Sequence, residues 1–276
     1  MANKNWNFDY FNQCEYSEKF INNGYVIFPV CDTEALTCIR DEIINVICNK
    51  LGLKLEKTPE DILNSIHEYI EIEDLNEFRL EIFQQLNAKP WFRAAYYSMG
   101  QSVLTKIVGN ELAMQRRINL SIQLPKDTSS LLPLHADVWS GDSPFEVVMW
   151  VPLVDCYKTK AMYLLPPAAS AKFNDTMSTY ATKGVEAATR SLGEELEFIE
   201  IPFGSVMIFN QSLPHGNKVN EEIETRWSLN CRFKSVFSPY ADKKLGEFFS
   251  PITLKPASRL GLAYELPRGF KSQKND

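Results

Sequence analysis

Histidine is scarce here, with three in 276 residues, and the six cysteines (14, 31, 38, 48, 156 and 231) form no CxxC pair. That spacing excludes a zinc ribbon and a disulfide framework; the cysteines are expected to be reduced thiols, buried as small hydrophobes. No window is long and apolar enough to span a bilayer. The opening "MANKNWNFDYFNQ" carries polar and aromatic residues where a signal peptide needs a continuous apolar run. Together these absences point to the cytoplasm. Basic excess is missing too: the net charge is -6, from 29 Lys and Arg against 35 Asp and Glu. Without a basic footprint, nucleic acid is not the expected partner. There is no internal repeat and no low-complexity tract.

What is present is ample core material, 45% hydrophobic and 12% aromatic. One domain over 1–276 is the expectation, with a helical part at about 32–115, a β-rich core at about 116–237 and a tail at 238–276. In residues 33–51, Leu36, Ile39, Ile43 and Ile47 recur at helical spacing, with Asp32 or Thr33 as N-cap and Gly52 as the stop. Thr58-Pro59 opens a second helix. A third runs through Leu75, Phe78, Ile82 and Leu86, and a fourth follows Pro90-Trp91. Ahead of them, "NGYVIFPV" (23–30) reads as a largely buried strand. His67 falls within the second helical stretch and reads as a surface or half-buried residue.

From about residue 116 the period shortens to two. In "RINLSIQL" (117–124), Asn119, Ser121 and Gln123 alternate with Leu120, Ile122 and Leu124. "FEVVMWVPLV" (145–154) and "GSVMIFN" (204–210) are apolar strands. "RWSLNCRFKSVF" (226–237) sets Arg226, Ser228, Asn230 and Arg232 on one face and Trp227, Leu229, Cys231 and Phe233 on the other. A polar, Ala-rich insert at about 168–196 interrupts the strands. The alternating polar faces have two readings: a sandwich with one wet face, or a barrel-like double sheet holding a polar site inside.

The metal-ligating residue types favour the second. In "LPLHADVW", His135 and Asp137 flank one residue after a strand-like run, so a local turn can aim both side chains at one point. His215, in "NQSLPHGNKV", is the third candidate. Two neutral imidazoles and a carboxylate suit Fe(II), with positions left open for a co-substrate and O₂; zinc accepts the same donors. Each fragment alone is weak, since His-x-Asp and Pro-His-Gly also occur in ordinary turns. Arg226, eleven residues after His215, opens a strand, and Ser228 shares its face. A guanidinium fork beside a hydroxyl is what bidentate recognition of a distal carboxylate, such as that of 2-oxoglutarate, requires. The plainer reading of Arg226 is a surface ion pair with Glu222 or Glu224.

Taken in this order, the motifs resemble the Fe(II)/2-oxoglutarate-dependent oxygenases, and among them the phytanoyl-CoA dioxygenase-like superfamily. The resemblance covers about residues 20–237 and rests on "NGYVIFPV", "PLHAD", "GSVMIFNQSLPHG" and "RWSLNCRF". The run "HADVWSGDSPFEVVMWVPLVD" is closer still to a bacterial branch found in sporadically distributed carbohydrate-biosynthesis clusters.

The resemblance implies an α+β chain with a β-rich core, a double-stranded β-helix (jelly roll, cupin-like), with N-terminal helices packed outside. It implies that His135, Asp137 and His215 bind Fe(II), and that Arg226 and Ser228 hold the far carboxylate of 2-oxoglutarate. Trp150 matches a position that packs against the co-substrate in relatives. Asn217 stands where relatives often carry a small hydroxyl residue, a departure that touches the same co-substrate contact. Asn119, Ser121, Gln123, Asn230 and Arg232 would face the lumen near substrate, where an unpaired buried polar group costs about 1–3 kcal/mol; a bracing network is the competing reading. Trp139, Ser140, Gly141 and Asp142 form a turn over the site and are substrate-contact candidates or simple loop closure. Related halogenases replace the carboxylate ligand with a small residue, so Asp137 disfavours halogenation. The implied substrate is a small polar molecule, a sugar or activated sugar, and the implied reaction is hydroxylation. A cupin-like Zn/Mn isomerase or hydrolase, and a non-catalytic metal-binding jelly roll, remain as alternatives. Oligomeric state cannot be read from the sequence.

Overall fold

The change of period in the sequence marks a change of layer in the structure. A computed structural model describes residues 14–269 apart from 55, 181 and 182, so the opening segment "MANKNWNFDYFNQ" lies outside the described residues. Six helices come first: α1 (Glu15–Asn23), α2 (Thr33–Leu51), α3 (Pro59–Asn64), α4 (Leu75–Asn87), α5 (Phe92–Ser98) and α6 (Gln101–Ile107). Their ends follow local chemistry. Asp32 caps α2 by accepting from the Ala35 N–H at 2.9 Å, and Gly52 ends it at φ 65°, where a side chain would be strained. Thr58 and Asp61 form a capping box on α3, with Pro59 in its first turn.

The strands are β1 (Tyr25–Pro29), β2 (Leu112–Gln115), β3 (Asn119–Gln123), β4 (Val147–Pro152), β5 (Met162–Leu164), β6 (Glu197–Ile199), β7 (Ser205–Asn210), β8 (His215–Gly216), β9 (Arg226–Ser235) and β10 (Phe249–Pro251). Seven form one antiparallel sheet in the order β1-β7-β4-β9-β2-β10, with β3 also on β9; the second sheet runs β6-β5-β8. Strand β9 is long enough to be shared, pairing with β3 over Arg226–Asn230 and with β2 from Phe233 on.

Alternation sorts the side chains into layers. Met149, Val151, Trp227, Leu229, Phe233 and Ile208 point outward and pack with Ile39, Ile43, Phe78 and Ile82 of the helices. Trp227 is fully buried there, its Nε1–H donating to the Leu63 carbonyl at 2.8 Å. Val148, Trp150, Met207 and Phe209 point the other way and meet Met162, Leu164 and Ile199 of the small sheet. Between the sheets, therefore, is part apolar core and part polar site. Two further helices, α7 (Pro167–Thr176) and α8 (Val185–Leu192), make up the insert; Phe173, Ala188 and Leu192 cover Tyr163 and Leu165. This is a double-stranded β-helix with helices packed outside. None of the helices among the described residues is long and apolar enough to cross a membrane.

Two expectations are corrected, the burial of the cysteines and the place of His67 in the second helix. The described cysteines are all free, but only Cys156 and Cys231 are buried; Cys31 and Cys38 are exposed. A helical cysteine on the solvent face keeps the helix period without joining the core. The tail, which shows little periodicity, contributes β10 to the large sheet and a helix, α9 (Pro256–Leu262). His67 lies in a short turn, its Nδ1 3.0 Å from Thr225 Oγ1.

Candidate metal centre

A backbone exchange brings the two site histidines together. The His135 N–H donates to the His215 carbonyl at 3.0 Å, and the His215 N–H donates back at 2.8 Å. Their rings stand 4.3 Å apart, centroid to centroid. Asp137 opens a one-turn helix at 137–140 and donates its N–H to the Gln211 carbonyl at 3.1 Å. As a result one donor atom from each of His135, Asp137 and His215 lies within 4.8 Å of the others.

The ring nitrogens are already assigned. His135 Nδ1 lies 2.8 Å from the Pro133 carbonyl, and His215 Nδ1 lies 2.8 Å from the Leu213 carbonyl. A carbonyl only accepts, so each Nδ1 carries the proton and each Nε2 is left with its lone pair. Both Nε2 atoms face Asp137 Oδ1, at 3.5 and 4.0 Å. Burial, with the neighbouring His135, pulls His215 down to about 4, so its imidazole is neutral at ordinary pH. Burial pushes Asp137 up, but the neighbouring His135 and the Arg232 charge win and bring it down to about 2. For His135 burial works downward, yet the negative Asp137 carboxylate nearby holds it above its ordinary value. The centre thus offers an ionised carboxylate and two Nε2 lone pairs, a donor set that fits Fe(II).

Beside this group a cavity of about 300 Å³ opens between the sheets, walled by Trp150, Phe209, Arg226 and Asn230 among others. Arg226 is 5% exposed and donates Nη2 to Ser121 Oγ at 3.1 Å; its Nε has no partner. Among the described residues no acid pairs with it. Glu224 is taken by Lys160 Nζ at 2.8 Å and Tyr157 Oη at 3.1 Å, and Glu222 accepts from Thr159 Oγ1 at 2.9 Å. The surface ion pair that the sequence allowed is therefore not formed. Burial lowers the Arg226 pKa from its ordinary value. Two positions along, the Ser228 hydroxyl is buried and also unpartnered. An uncompensated buried guanidinium on the cavity wall fits an anionic ligand, with the Ser228 hydroxyl buried off that wall.

The remaining candidates divide. Asn119 and Asn230 are on the cavity wall and share a hydrogen bond, Nδ2 to Oδ1, at 3.0 Å. Ser121 lies on the wall too, turned to Arg226. Asn217 borders the cavity, but its amide fastens the loop before His135: Oδ1 accepts from the Leu132 N–H, and Nδ2 donates to the Ser130 carbonyl at 3.4 Å. Gln123 is buried off the cavity wall and donates to the Lys218 carbonyl at 2.6 Å. Trp139 is 43% exposed and faces Phe173, not the cavity. Arg232 is on the wall, but Asp137 occupies it, Nη2 to Oδ2 at 2.9 Å. Asp142, expected in an open turn, is buried and binds Lys243 Nζ at 2.6 Å. Gln211 and Lys243 were not foreseen: a glutamine after a strand and a lysine in a tail carry no pattern.

Solved structures share this architecture. ThoJ, a non-heme monooxygenase in complex with nickel, matches with a TM-score of 0.53 at 15% identity, over 87% of this chain and 84% of its own. EctD from S. alaskensis, crystallised with 2-oxoglutarate and 5-hydroxyectoine, matches with a TM-score of 0.53 at 14% identity, over 85% and 80%. AviO1 from Streptomyces viridochromogenes Tue57 matches with a TM-score of 0.53 at 15% identity, over 84% and 98%. No protein-family model matches the chain, and no curated protein does. At such identities the likeness is one of fold alone, and the chain shares the jelly-roll fold of these three structures.

Proposed function

We propose that the chain is a non-haem Fe(II)- and 2-oxoglutarate-dependent dioxygenase that hydroxylates a small polar substrate, a sugar or activated sugar. The observation that carries this is Arg226, a buried charge without an acid, set in one cavity with a His-Asp-His group. A zinc or manganese isomerase needs the metal ligands but gives no reason for that guanidinium. The fold shared with EctD, crystallised with 2-oxoglutarate, supports the same reading.

When bound, iron would supply the chemistry that couples decarboxylation of 2-oxoglutarate to removal of a hydrogen atom from substrate. The chain's own part is positioning. His135, Asp137 and His215 would hold the metal from one side. Arg226 and Ser228 would take the distal carboxylate, and Trp150 would wall it in. Asn119 and Asn230 would present amides to the hydroxyls of a sugar, while the apolar layer between the sheets keeps bulk water out. The test is succinate formed from 2-oxoglutarate under air with Fe(II) and ascorbate, with and without a panel of nucleotide sugars. Wild type should turn over above the His135→Ala variant, and a substrate should raise the rate. Equal background from both proteins under all conditions would defeat the reading.

A further inference from the structure

Arg226 and Arg232 share the inward face of β9 but live in opposite circumstances. Arg226 has an unpartnered Nε; Arg232 is spoken for at both ends of its fork. Its Nη2 is 2.9 Å from Asp137 Oδ2, and its Nε is 3.1 Å from Gln211 Oε1 and 3.5 Å from Asp142 Oδ1. Gln211 also accepts the Asp137 N–H on its carbonyl at 3.1 Å, so backbone and side chain of Asp137 are referenced to one residue. Gln211 is itself fixed, donating Nε2 to Glu146 Oε2 at 3.1 Å and to the Ser143 carbonyl at 3.0 Å. Behind Arg232, buried Asp142 receives Lys243 Nζ from the tail at 2.6 Å. Charges therefore alternate from the metal centre to the tail, in the order Asp137, Arg232, Asp142 and Lys243.

The two oxygens of Asp137 are divided by this arrangement: Oδ1 faces both histidines, and Oδ2 is tied to a guanidinium. We propose that Arg232 is a positioning residue that limits Asp137 to one ligating oxygen, keeping open the coordination positions a chelating keto acid and O₂ need, and that Lys243 steadies it through Asp142. The inference rests on the dioxygenase reading. In a six-coordinate site, two imidazoles and one carboxylate oxygen leave three positions, enough for a two-point chelate and a gas; a carboxylate binding through both oxygens leaves two. The Arg232 charge beside Oδ2 favours keeping that oxygen on the guanidinium side, away from the metal. With Nε and Nη2 engaged, only the Nη1 edge of Arg232 remains for the substrate contact the alternating pattern suggested.

Three variants test this: Arg232→Met, which keeps the length and loses the fork, Arg232→Lys, which keeps a charge, and Lys243→Met. Each is loaded anaerobically with Fe(II) and titrated with 2-oxoglutarate, reading the metal-to-keto-acid charge-transfer absorption. Ni(II) affinity is measured in parallel by calorimetry. Arg232→Met should bind Ni(II) within about threefold of wild type, yet bind 2-oxoglutarate at least tenfold more weakly, with little absorption. Arg232→Lys should recover part of the band, and Lys243→Met should shift the same readings by a smaller factor. Wild-type affinity and absorption in Arg232→Met would overturn the assignment. Should that variant not fold, wild-type behaviour in both Arg232→Lys and Lys243→Met would overturn it equally. A wild-type protein with no absorption at all defeats a different claim, the dioxygenase reading itself.

Discussion

Arg226 sits with its guanidinium buried and one donor unsatisfied, and the ligand-free fold bears the desolvation of that charge without a counter-ion. A structural arginine would be paired; this one is compensated only if an anion enters the cavity. Replacing it with methionine, similar in length and uncharged, should leave the ligand-free protein as stable as wild type or more so. Calorimetric melting checks this, and a loss of several degrees would mean that the Ser121 contact and packing outweigh the buried charge. Arg226 and Ser228 could be read from the sequence because strand alternation puts both on the polar face of β9. Gln211 could not, since its role depends on where a one-turn helix, strand β9 and the turn before β4 deliver Asp137, Arg232 and Glu146. Arg232 shows the same limit: alternation placed it on the cavity wall, where it lies, but did not show the Asp137 and Gln211 partners waiting there.

Strand β8 is two residues long, His215 and Gly216, and shows how little sequence signal a decisive element can carry. Long helices and β9 were legible because they bury one face over many turns or pleats. By contrast β5, β6 and β8 are too short to establish a period, so a second sheet was expected but its strands were not placed. Gly216 explains why β8 can lie where it does. A Cβ there would come 2.5 Å from Tyr163 Oη and 2.7 Å from the Leu132 carbonyl. A backbone carbonyl cannot yield as a flexible side chain can, so Gly216→Ala must displace β8 and His215 with it. Overpacking of this sort costs about 1–3 kcal/mol. Denaturant unfolding should show that loss, and Ni(II) affinity should fall at least tenfold; unchanged values for both would show that the strand tolerates the methyl group.

Across the whole molecule, helices, large sheet, cavity, small sheet and insert form successive layers, and the candidate metal site lies at the edge of the small sheet, where His135 exchanges hydrogen bonds with His215 of β8. Most of this layering was legible from the switch between helical and strand periods and from two alternating polar faces that needed an interior. The tail was not, since its contribution is a short edge strand and one lysine reaching Asp142. The central claim is that one cavity holds a metal at His135, Asp137 and His215 and a dicarboxylate at Arg226. Calorimetric titration of 2-oxoglutarate into Ni(II)-loaded protein, where no turnover occurs, tests it most directly. Wild type should bind one equivalent, Arg226→Met should bind at least tenfold more weakly while keeping its metal, and His135→Ala should lose the metal and with it the binding. Equal binding by all three proteins, or none by wild type, would contradict the account.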